Sequence, residues 1–293
     1  MRMLLLGANG QVGHELRRAL APLGEVVCTA RGGRLEGGAC EVADFDKPDT
    51  LAGLVYRIAP DVVVNAAAYT AVDRAESERD AAFRANAQAP AALAAACAQR
   101  DVLLVHYSTD YVFDGTGTRP YREDDPVAPL GVYGESKLAG ERAILASGAR
   151  HMIFRTAWVY ADRGSNFMLT MLRLARERDE LRVVADQFGT PTPAALIADT
   201  TAAILDRPFT ASGLWHLTAG DGTSWHGFAE AIVERAHALG RIERQPRILP
   251  IATADYPTPA RRPAYSRLDC SRLERDWGIS LPGWQTALAA VLR

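Results

Sequence analysis

Short apolar runs alternate with amphipathic or alanine-rich segments through the first half of the chain. Runs of this kind, bounded by glycine or polar residues, are typical of strands buried in a parallel sheet. Predicted strands cover residues 3–6, 25–30, 61–65, 102–107 and 151–155, and predicted helices cover residues 11–20, 49–58, 80–99 and 136–147. This spacing predicts an α/β fold, a doubly wound parallel sheet with helices on both faces.

The alternation weakens after about residue 156, where a smaller, interleaved second domain is predicted. Its segment 244–263, RQPRILPIATADYPTPARRP, is rich in proline and arginine. Proline lacks the N–H that a helix interior or a central strand requires, so this segment is expected to form loops lining a pocket. We expect a first domain over residues 1–157, to which part of 183–220 returns, and a second domain mainly over 158–293.

A glycine-rich loop, GANGQVG, joins the first predicted strand to the first predicted helix, with glycines at Gly7, Gly10 and Gly13. Glycines at such a turn permit close approach of the backbone to a pyrophosphate, and the helix N-terminus offers free N–H groups to its oxygens. An ordinary glycine-rich turn is the alternative, but the flanking strand and helix favour dinucleotide binding. The fold is therefore expected to be of the Rossmann type, with the first domain binding the dinucleotide.

The end of the second predicted strand indicates which dinucleotide is bound. The sequence there is CTARGGR, with Arg31 and Arg34 and no acidic residue. An acidic residue at this place holds the ribose hydroxyls of NAD, whereas an arginine accommodates the 2′-phosphate of NADP. NADPH is therefore the expected cofactor, with NADH possible, unless these arginines are only solvated loop charges.

A tyrosine and a lysine stand four residues apart in VYGESKLAGE, at Tyr133 and Lys137. Residues at this spacing share one face of a helix, so the ammonium is expected to lower the pKa of the phenol. A tyrosine four residues before a lysine is common by chance in protein sequences, so this spacing alone is weak evidence. Ser108 and Thr109 fall at the carboxyl end of the fourth predicted strand, the edge where open α/β sheets bind ligands. A hydroxyl group there could hydrogen-bond the oxygen of a substrate and hold it near Tyr133 and Lys137. Alternatively, Ser108 and Thr109 could simply end the strand.

Composition excludes several classes of protein. The 293 residues carry a net charge of −2, with no basic excess for nucleic acid or an anionic membrane. The four cysteines are scattered without a C-x-x-C pair, which argues against a disulfide framework or a zinc cage. The N-terminal apolar run is too short for a signal peptide, and no apolar stretch reaches 18 residues, so a cytoplasmic location is expected.

With these motifs in order, the chain resembles the extended short-chain dehydrogenase/reductases, and within them the dTDP-4-dehydrorhamnose reductase family. The resemblance spans nearly the whole chain. It includes GANGQVG, ADFD, VNAAAYTAVDRAE, HYSTDYVF, VYGESKLAGE, FRTAWVY, DQFGTPT and YPTPARRP. The later segments are much more specific to these reductases than the glycine loop is.

The resemblance implies the last step of dTDP-L-rhamnose synthesis, reduction of the C4 ketone of dTDP-4-dehydro-L-rhamnose by NAD(P)H. It implies Tyr133 as proton donor, Lys137 as its cationic partner and Thr109 as the group that tunes the tyrosine. The implied cofactor-binding residues are Gly7, Gly10, Gln11, Val12, Gly13, Arg31, Asp44, Phe45, Ala67, Ala68, Tyr69, Tyr107, Tyr133 and Lys137. The implied substrate-binding residues are Thr109, Asp110, Trp158 and Arg262. For Trp158 core packing is the alternative, and Arg261 and Arg262 could clamp the substrate pyrophosphate or be solvated.

One departure from the family concerns metal. Some members bridge two subunits through a metal held by glutamates. Here Glu15 occupies one plausible position, but Ala195 stands where a second glutamate is sought. No metal is therefore expected, and the chain is expected to be a monomer or a weak homodimer.

Three other functions share parts of this pattern. Sister nucleotide-sugar 4,6-dehydratases commonly carry Asp-Glu after the strand-end threonine, whereas Asp110 is followed here by Tyr111. A 4-epimerase uses the same tyrosine and lysine but retains its cofactor. A non-catalytic NADP-binding regulatory subunit would not need Thr109, Tyr133 and Lys137 together.

Overall fold

The computed structural model describes residues 1–208 and 212–293. Its strands are β1 (Arg2–Leu6), β2 (Glu25–Ala30), β3 (Arg34–Leu35), β4 (Gly38–Ala39), β5 (Glu41–Val42), β6 (Val62–Asn65), β7 (Leu103–Thr109), β8 (His151–Thr156), β9 (Val159–Tyr160), β10 (Glu180–Val184), β11 (Phe188–Gly189), β12 (Thr192–Pro193), β13 (Gly213–His216), β14 (Thr223–Ser224) and β15 (Arg247–Ile251). Its α-helices are α1 (Gln11–Leu20), α2 (Asp49–Ile58), α3 (Val72–Ala75), α4 (Arg79–Phe83), α5 (Ala89–Arg100), α6 (Val132–Ala146), α7 (Phe167–Glu177), α8 (Ala194–Leu205), α9 (Trp225–Ala238), α10 (Ser271–Trp277) and α11 (Trp284–Val291).

The central sheet confirms the predicted Rossmann-type fold. In the described ranges it contains seven strands in the order β13-β8-β7-β6-β1-β2-β5, and every neighbouring pair is parallel. The chain winds outward in both directions from β1, so the strand order reverses between β1 and β6. Ligands of doubly wound sheets bind in the crevice at the carboxyl end of such a switch point.

The alternation of side chains along β1 shows how the sheet is covered on both faces. Met3 and Leu5 pack into a core formed with α1 and α8. Leu4 and Leu6 point the other way, into a core formed with α2, α5 and α6. All four side chains are fully buried, as expected for a parallel strand between two helical layers.

The second half of the chain builds a further hydrophobic core from α7, α9, α11 and β10. One of its strands returns to the main sheet, because Gly213 of β13 pairs with Met152 of β8 and His216 with Arg155. Helix α8 likewise packs against α1. The division at residues 157 and 158 stays a prediction.

The alanine-rich helix predicted over residues 80–99 is not one regular α-helix. It consists of α4, a π-helical turn Arg84–Gln88, and α5. Pro90 accounts for the interruption, because it has no N–H to donate to the carbonyl of Asn86 and its ring crowds that position. The freed carbonyl of Asn86 lies against α6, where a Cβ added at Gly140 would come within 2.1 Å of it.

Helix α6 begins at Val132, four residues before its predicted start at residue 136. Gly131 is extended and contributes no side-chain cap to the helix. Instead, the carboxylate of Glu76 accepts the N–H of Val132 at 2.9 Å. A negative charge at a helix N-terminus is stabilising, and this cap, from the residue that follows α3, places Tyr133 in the first turn of the helix.

Candidate active site

The glycine loop lies at the carboxyl end of β1, beside the switch point. Gly7 has a φ of +76°, and a Cβ added there would lie 2.7 Å from the backbone nitrogen of Ala67. A Cβ added at Gly13 would lie 2.1 Å from the carbonyl oxygen of Gly7. Gly10 caps α1 without a side chain, so the N-terminus of this helix is open to an anion. The loop is therefore shaped as the predicted phosphate site requires.

Replacing Gly13 with alanine is expected to destabilise the protein by about 1–3 kcal/mol, because the new methyl group overlaps the backbone of Gly7. The weakened loop should also bind NADPH less tightly. Gly53→Ala in α2 is the matched control, since nothing lies within 4 Å of its Cβ position. That change should stabilise the helix by about 0.5–1 kcal/mol. Thermal unfolding of the two variants measures the contrast, and equal effects would contradict the packing described.

The structure revises the predicted adenosine end of the site. Arg31 is largely exposed and lies 3.8 Å from a carboxylate oxygen of Asp44 and 3.5 Å from one of Asp46. Phe45, predicted to bind cofactor, has its side chain buried in the core with Leu51. Its ring is therefore a core residue, and any contact with the cofactor is left to its backbone.

Tyr133 lines a cavity at the start of α6. The other lining residues are Val72, Glu76, Tyr111, Phe113, Leu130, Gly131, Gly134, Ala260, Arg261 and Pro263. The last three belong to the proline- and arginine-rich segment that was predicted to line a pocket. The ring of Tyr111 packs edge-on against that of Tyr133, with centroids 5.7 Å apart. The phenol thus faces a confined space at the carboxyl edge of the sheet.

The pKa of Tyr133 is raised to about 12, chiefly by burial, while a hydrogen bond with Thr109 opposes the rise. The expectation of a lowered pKa is therefore wrong for this structure. The reason is geometric, since the ammonium of Lys137 points to β7. A phenol with a raised pKa is protonated at neutral pH, which is the state that a proton donor needs.

Lys137 is almost completely buried, with 2% of its surface exposed. Its Nζ donates to the carbonyl oxygen of Tyr107 at 2.6 Å and lies 3.5 Å from Nε2 of His106. Burial lowers the pKa of Lys137 to about 8, and the negative charge of Glu141 opposes this. The lysine is thus held by β7, with a pKa about one unit above neutral pH.

Tyr107, predicted to bind cofactor, contributes its backbone to the site. Its side chain is buried against Phe154 and its hydroxyl lies 2.8 Å from that of Thr201. Successive residues of a strand face opposite sides of the sheet. His106 therefore points to α6, and Tyr107 points into the core on the other face.

The predicted substrate residues Asp110 and Trp158 both lie where the strands end. Asp110 is buried, and burial raises the pKa of its carboxyl to about 6. Trp158 has a left-handed backbone, with a φ of +47°, and stacks on Trp225 with ring centroids 3.5 Å apart. A non-glycine residue held in this conformation is a common sign of a functional site. The substrate role of Trp158 stays a prediction.

Arg262 is engaged by an ion pair. Its guanidinium binds both carboxylate oxygens of Asp73, at 3.1 and 2.8 Å, and also contacts Thr258 and the carbonyl of Ala260. This pair ties the proline-rich segment to α3 across the cavity. A clamp on the substrate pyrophosphate, which stays a prediction, would require Arg262 to leave Asp73.

Asn86 is a site residue that the sequence reasoning missed. It lies in the π-helical turn, fully buried. Its side chain binds both the N–H and the carbonyl of Tyr69, at 2.8 and 3.0 Å, and the hydroxyl of Ser136. It therefore joins the predicted cofactor loop after β6 to the helix that carries Tyr133 and Lys137. A lone asparagine in an alanine-rich helix was the available signal.

Across residues 1–208 and 212–293, no group of three His, Cys, Asp or Glu side chains is placed to hold a metal ion. Glu15 binds Arg18, which also pairs with Asp199. The expected absence of metal stays a prediction. In the same ranges, no helix has the length and apolarity to cross a membrane.

Comparison with known proteins identifies the family. The model of the RmlD substrate binding domain family matches residues 1–293. The chain belongs to this family. A dTDP-4-dehydrorhamnose reductase of Burkholderia thailandensis is 51% identical over 302 residues, which cover all of this chain and 98% of that protein.

Solved structures agree with the family. A dTDP-4-dehydrorhamnose reductase from Clostridium acetobutylicum superposes with a TM-score of 0.90 at 36% identity, covering 100% of this chain and 98% of that one. A second, from Bacillus anthracis and in complex with NADP, gives 0.89 at 32% identity, covering 99% and 98%. The RmlD family resemblance therefore extends from the glycine loop to the last helix.

Proposed function

We propose that the protein is a dTDP-4-dehydrorhamnose reductase, which reduces the C4 ketone of dTDP-4-dehydro-L-rhamnose to the alcohol of dTDP-L-rhamnose with NADPH. One observation carries the proposal. The half-buried phenol of Tyr133 is held protonated beside Thr109, in a chain that matches reductases of this name over its full length.

NADPH fits the residues present. The open N-terminus of α1 suits its pyrophosphate, and the exposed guanidinium of Arg31 at the end of β2 suits its 2′-phosphate. Ala67, Ala68 and Tyr69 follow β6, where the rest of the cofactor would lie. Bound there, NADPH supplies a hydride for the carbonyl carbon.

The residues of the chain supply the proton and the orientation. Tyr133 donates its phenolic proton to the carbonyl oxygen as negative charge develops on it. Thr109 lowers the pKa of the phenol. Its hydroxyl donates to Oδ1 of Asp110 at 3.0 Å in this structure and would turn to the phenolate oxygen to stabilise it. Lys137, when charged, would add positive charge near the phenol and would hold the nicotinamide ribose of the bound cofactor. Trp158 and Asp110 orient the sugar, and Arg262 exchanges Asp73 for the substrate pyrophosphate.

The domain organisation follows from this assignment. Residues 1–157, with β13 and α8, would bind the dinucleotide, and most of 158–293 would bind the sugar nucleotide. The proline-rich segment connects the two by lining the cavity against Tyr133. The nucleotide-sugar substrate would therefore enter between the two units.

Arg31→Ala is expected to raise the KM for NADPH by about tenfold or more and to leave that for NADH nearly unchanged, because only NADPH carries the 2′-phosphate. Arg57→Ala, which removes an exposed arginine paired with Glu41, is the control and should change neither constant. Initial rates with each cofactor measure the effect. An equal rise in the KM for NADPH and for NADH would show that Arg31 acts on something other than the 2′-phosphate.

The decrease in NADPH absorbance during turnover tests the proposed reductase function. Purified protein with dTDP-4-dehydro-L-rhamnose should oxidise NADPH one-to-one with the sugar consumed. An epimerase would convert a sugar nucleotide with no net oxidation, and a regulatory subunit would bind NADPH without turnover. Folded protein that binds NADPH but gives either of these results would refute the reductase assignment.

A further inference from the structure

A buried chain of polar groups runs behind Lys137 and has no part in the mechanism above. Asn65 ends β6, and His106 is its neighbour in β7, the two being paired in the sheet register. Asn65 is 1% exposed and His106 is 0% exposed. Polar groups so deeply buried cost free energy unless their hydrogen bonds are satisfied, so the pattern of donors and acceptors in this chain is constrained.

The first constraint is set by the backbone. Oδ1 of Asn65 accepts the N–H of Ala67 at 3.1 Å. A backbone N–H can only donate, so the carbonyl oxygen of the Asn65 amide must face Ala67. The NH₂ group of the same amide then faces Nδ1 of His106, at 3.0 Å. An NH₂ group can only donate in turn, so Nδ1 of His106 must be the acceptor.

This fixes the tautomer of the imidazole. Burial and the nearby Lys137 hold the pKa of His106 well below its ordinary value, so the ring is neutral. With Nδ1 unprotonated, its single proton is on Nε2. Nε2 lies 3.5 Å from Nζ of Lys137, so an N–H bond of the histidine points at the lysine nitrogen.

We propose that Asn65 and His106 are positioning residues that hold the imidazole proton on Nε2 and thereby set the charge of Lys137. The N–H of His106 meets the lone pair of a neutral amine favourably and opposes the N–H groups of an ammonium. The carbonyl of Tyr107, at 2.6 Å, favours the ammonium. Lys137 is thus balanced between two states.

The other ionisable groups near Lys137 are Tyr133 and Glu141 on its own helix and Arg155 on β8. Glu141 favours the ammonium, but it is neutralised by a bidentate pair with Arg155. Rotation of the Asn65 amide would reverse the tautomer and leave the N–H of Ala67 without its acceptor. The charge of Lys137 is therefore linked to the loop that is proposed to hold the cofactor.

Asn65→Asp tests the proposal with almost no change of shape. A carboxylate at position 65 still accepts the N–H of Ala67, but it also requires a proton on Nδ1 of His106. Nε2 then presents a lone pair to Lys137, which stabilises the ammonium. The pKa of Lys137 should rise by about one unit or more.

The sequence contains only two lysines, Lys47 and Lys137. Carbon-13 labelling of lysine therefore gives two signals, and the exposed Lys47 is an internal reference. The histidine tautomer is read separately from ¹⁵N shifts of the imidazole, assigned by the through-space contact of His106 with the side chain of Lys137. Neither measurement needs turnover, so both stand even if the proposed reductase activity fails.

Three results are expected. The wild-type protein should carry the His106 proton on Nε2, Asn65→Asp should raise the pKa of Lys137, and that rise should be clearly smaller when Asn65→Asp is added to His106→Leu, where only the direct attraction of the carboxylate remains. A wild-type proton on Nδ1 overturns the proposal, even if no variant folds. An unchanged Lys137 titration in Asn65→Asp also overturns it, as does a rise of the same size without the imidazole. On the proposed function, the alkaline limb of kcat should move to higher pH by the same amount in Asn65→Asp.

Discussion

Tyr133→Phe is expected to lower kcat by about 10²- to 10⁴-fold, the usual contribution of a positioned general acid. The change removes only the hydroxyl group. The ring would still pack against Tyr111 and the helix would still be capped by Glu76. NADPH binding and thermal stability should therefore stay close to those of the wild-type protein.

Tyr56→Phe is the matched control for this experiment. The hydroxyl of Tyr56 binds Gln99 on the helical layer, away from the cavity, and its loss should leave kcat unchanged. Steady-state rates of NADPH oxidation, with NADPH affinity from fluorescence, measure both variants. If Tyr133→Phe retained wild-type turnover, another group would have to donate the proton.

Glu141→Gln is expected to destabilise the protein by about 3–5 kcal/mol, the usual cost of leaving a buried charge without its partner. Glu141 binds Arg155 through two hydrogen bonds, at 2.9 and 2.7 Å. The side chains are 1% and 5% exposed. The loss should also disturb Lys137, one turn earlier on α6, so activity should fall with stability. Denaturant unfolding gives the free energy.

Two further variants test whether the loss of stability in Glu141→Gln comes from the burial of the charge. Glu135→Gln, in the same helix, breaks an exposed pair with Arg79 and should cost less than about 1 kcal/mol. The double change Glu141→Leu with Arg155→Met removes both buried charges and should recover most of the stability. Equal effects of Glu141→Gln and Glu135→Gln would contradict the account of this pair.

The fold was predictable because its signals are local. Each predicted strand is a largely apolar run, such as VVVN ending at Asn65. The two-residue strands β3, β4 and β5 contain no such run and were not predicted. The boundaries that failed depend on distant residues. Helix α6 starts early because Glu76, 56 positions before Val132, caps it. The break at Arg84–Gln88 has a local cause, Pro90. The alanine-rich sequence around it nevertheless favours one continuous helix, so the break was not predicted.

Sequence motifs predicted those parts of the site that they contain. The glycine loop, Thr109, Tyr133 and Lys137 lie at one edge of the sheet, as their order along the chain indicates. The direction of the Tyr133 pKa shift was not predictable, because helix spacing shows that Lys137 shares a face with Tyr133. It shows neither that the phenol is buried nor that Nζ of Lys137 donates to the carbonyl of Tyr107. The side chains of Phe45 and Tyr107 face the core, which a family motif does not indicate, and their contact with the cofactor stays a prediction. Asn65, Asn86 and His106 were missed because their roles depend on contacts with residues distant in the sequence, such as His106 for Asn65 and Tyr69 for Asn86.

Transfer of deuterium tests the central claim most directly. The protein would be incubated with dTDP-4-dehydro-L-rhamnose and NADPH deuterated at both C4 positions of the nicotinamide ring, and the product examined by NMR. We expect one deuterium at C4 of dTDP-L-rhamnose for each NADPH oxidised, with the hydroxyl proton coming from Tyr133. A product without deuterium at C4, or no product from folded protein that binds NADPH, would contradict the account.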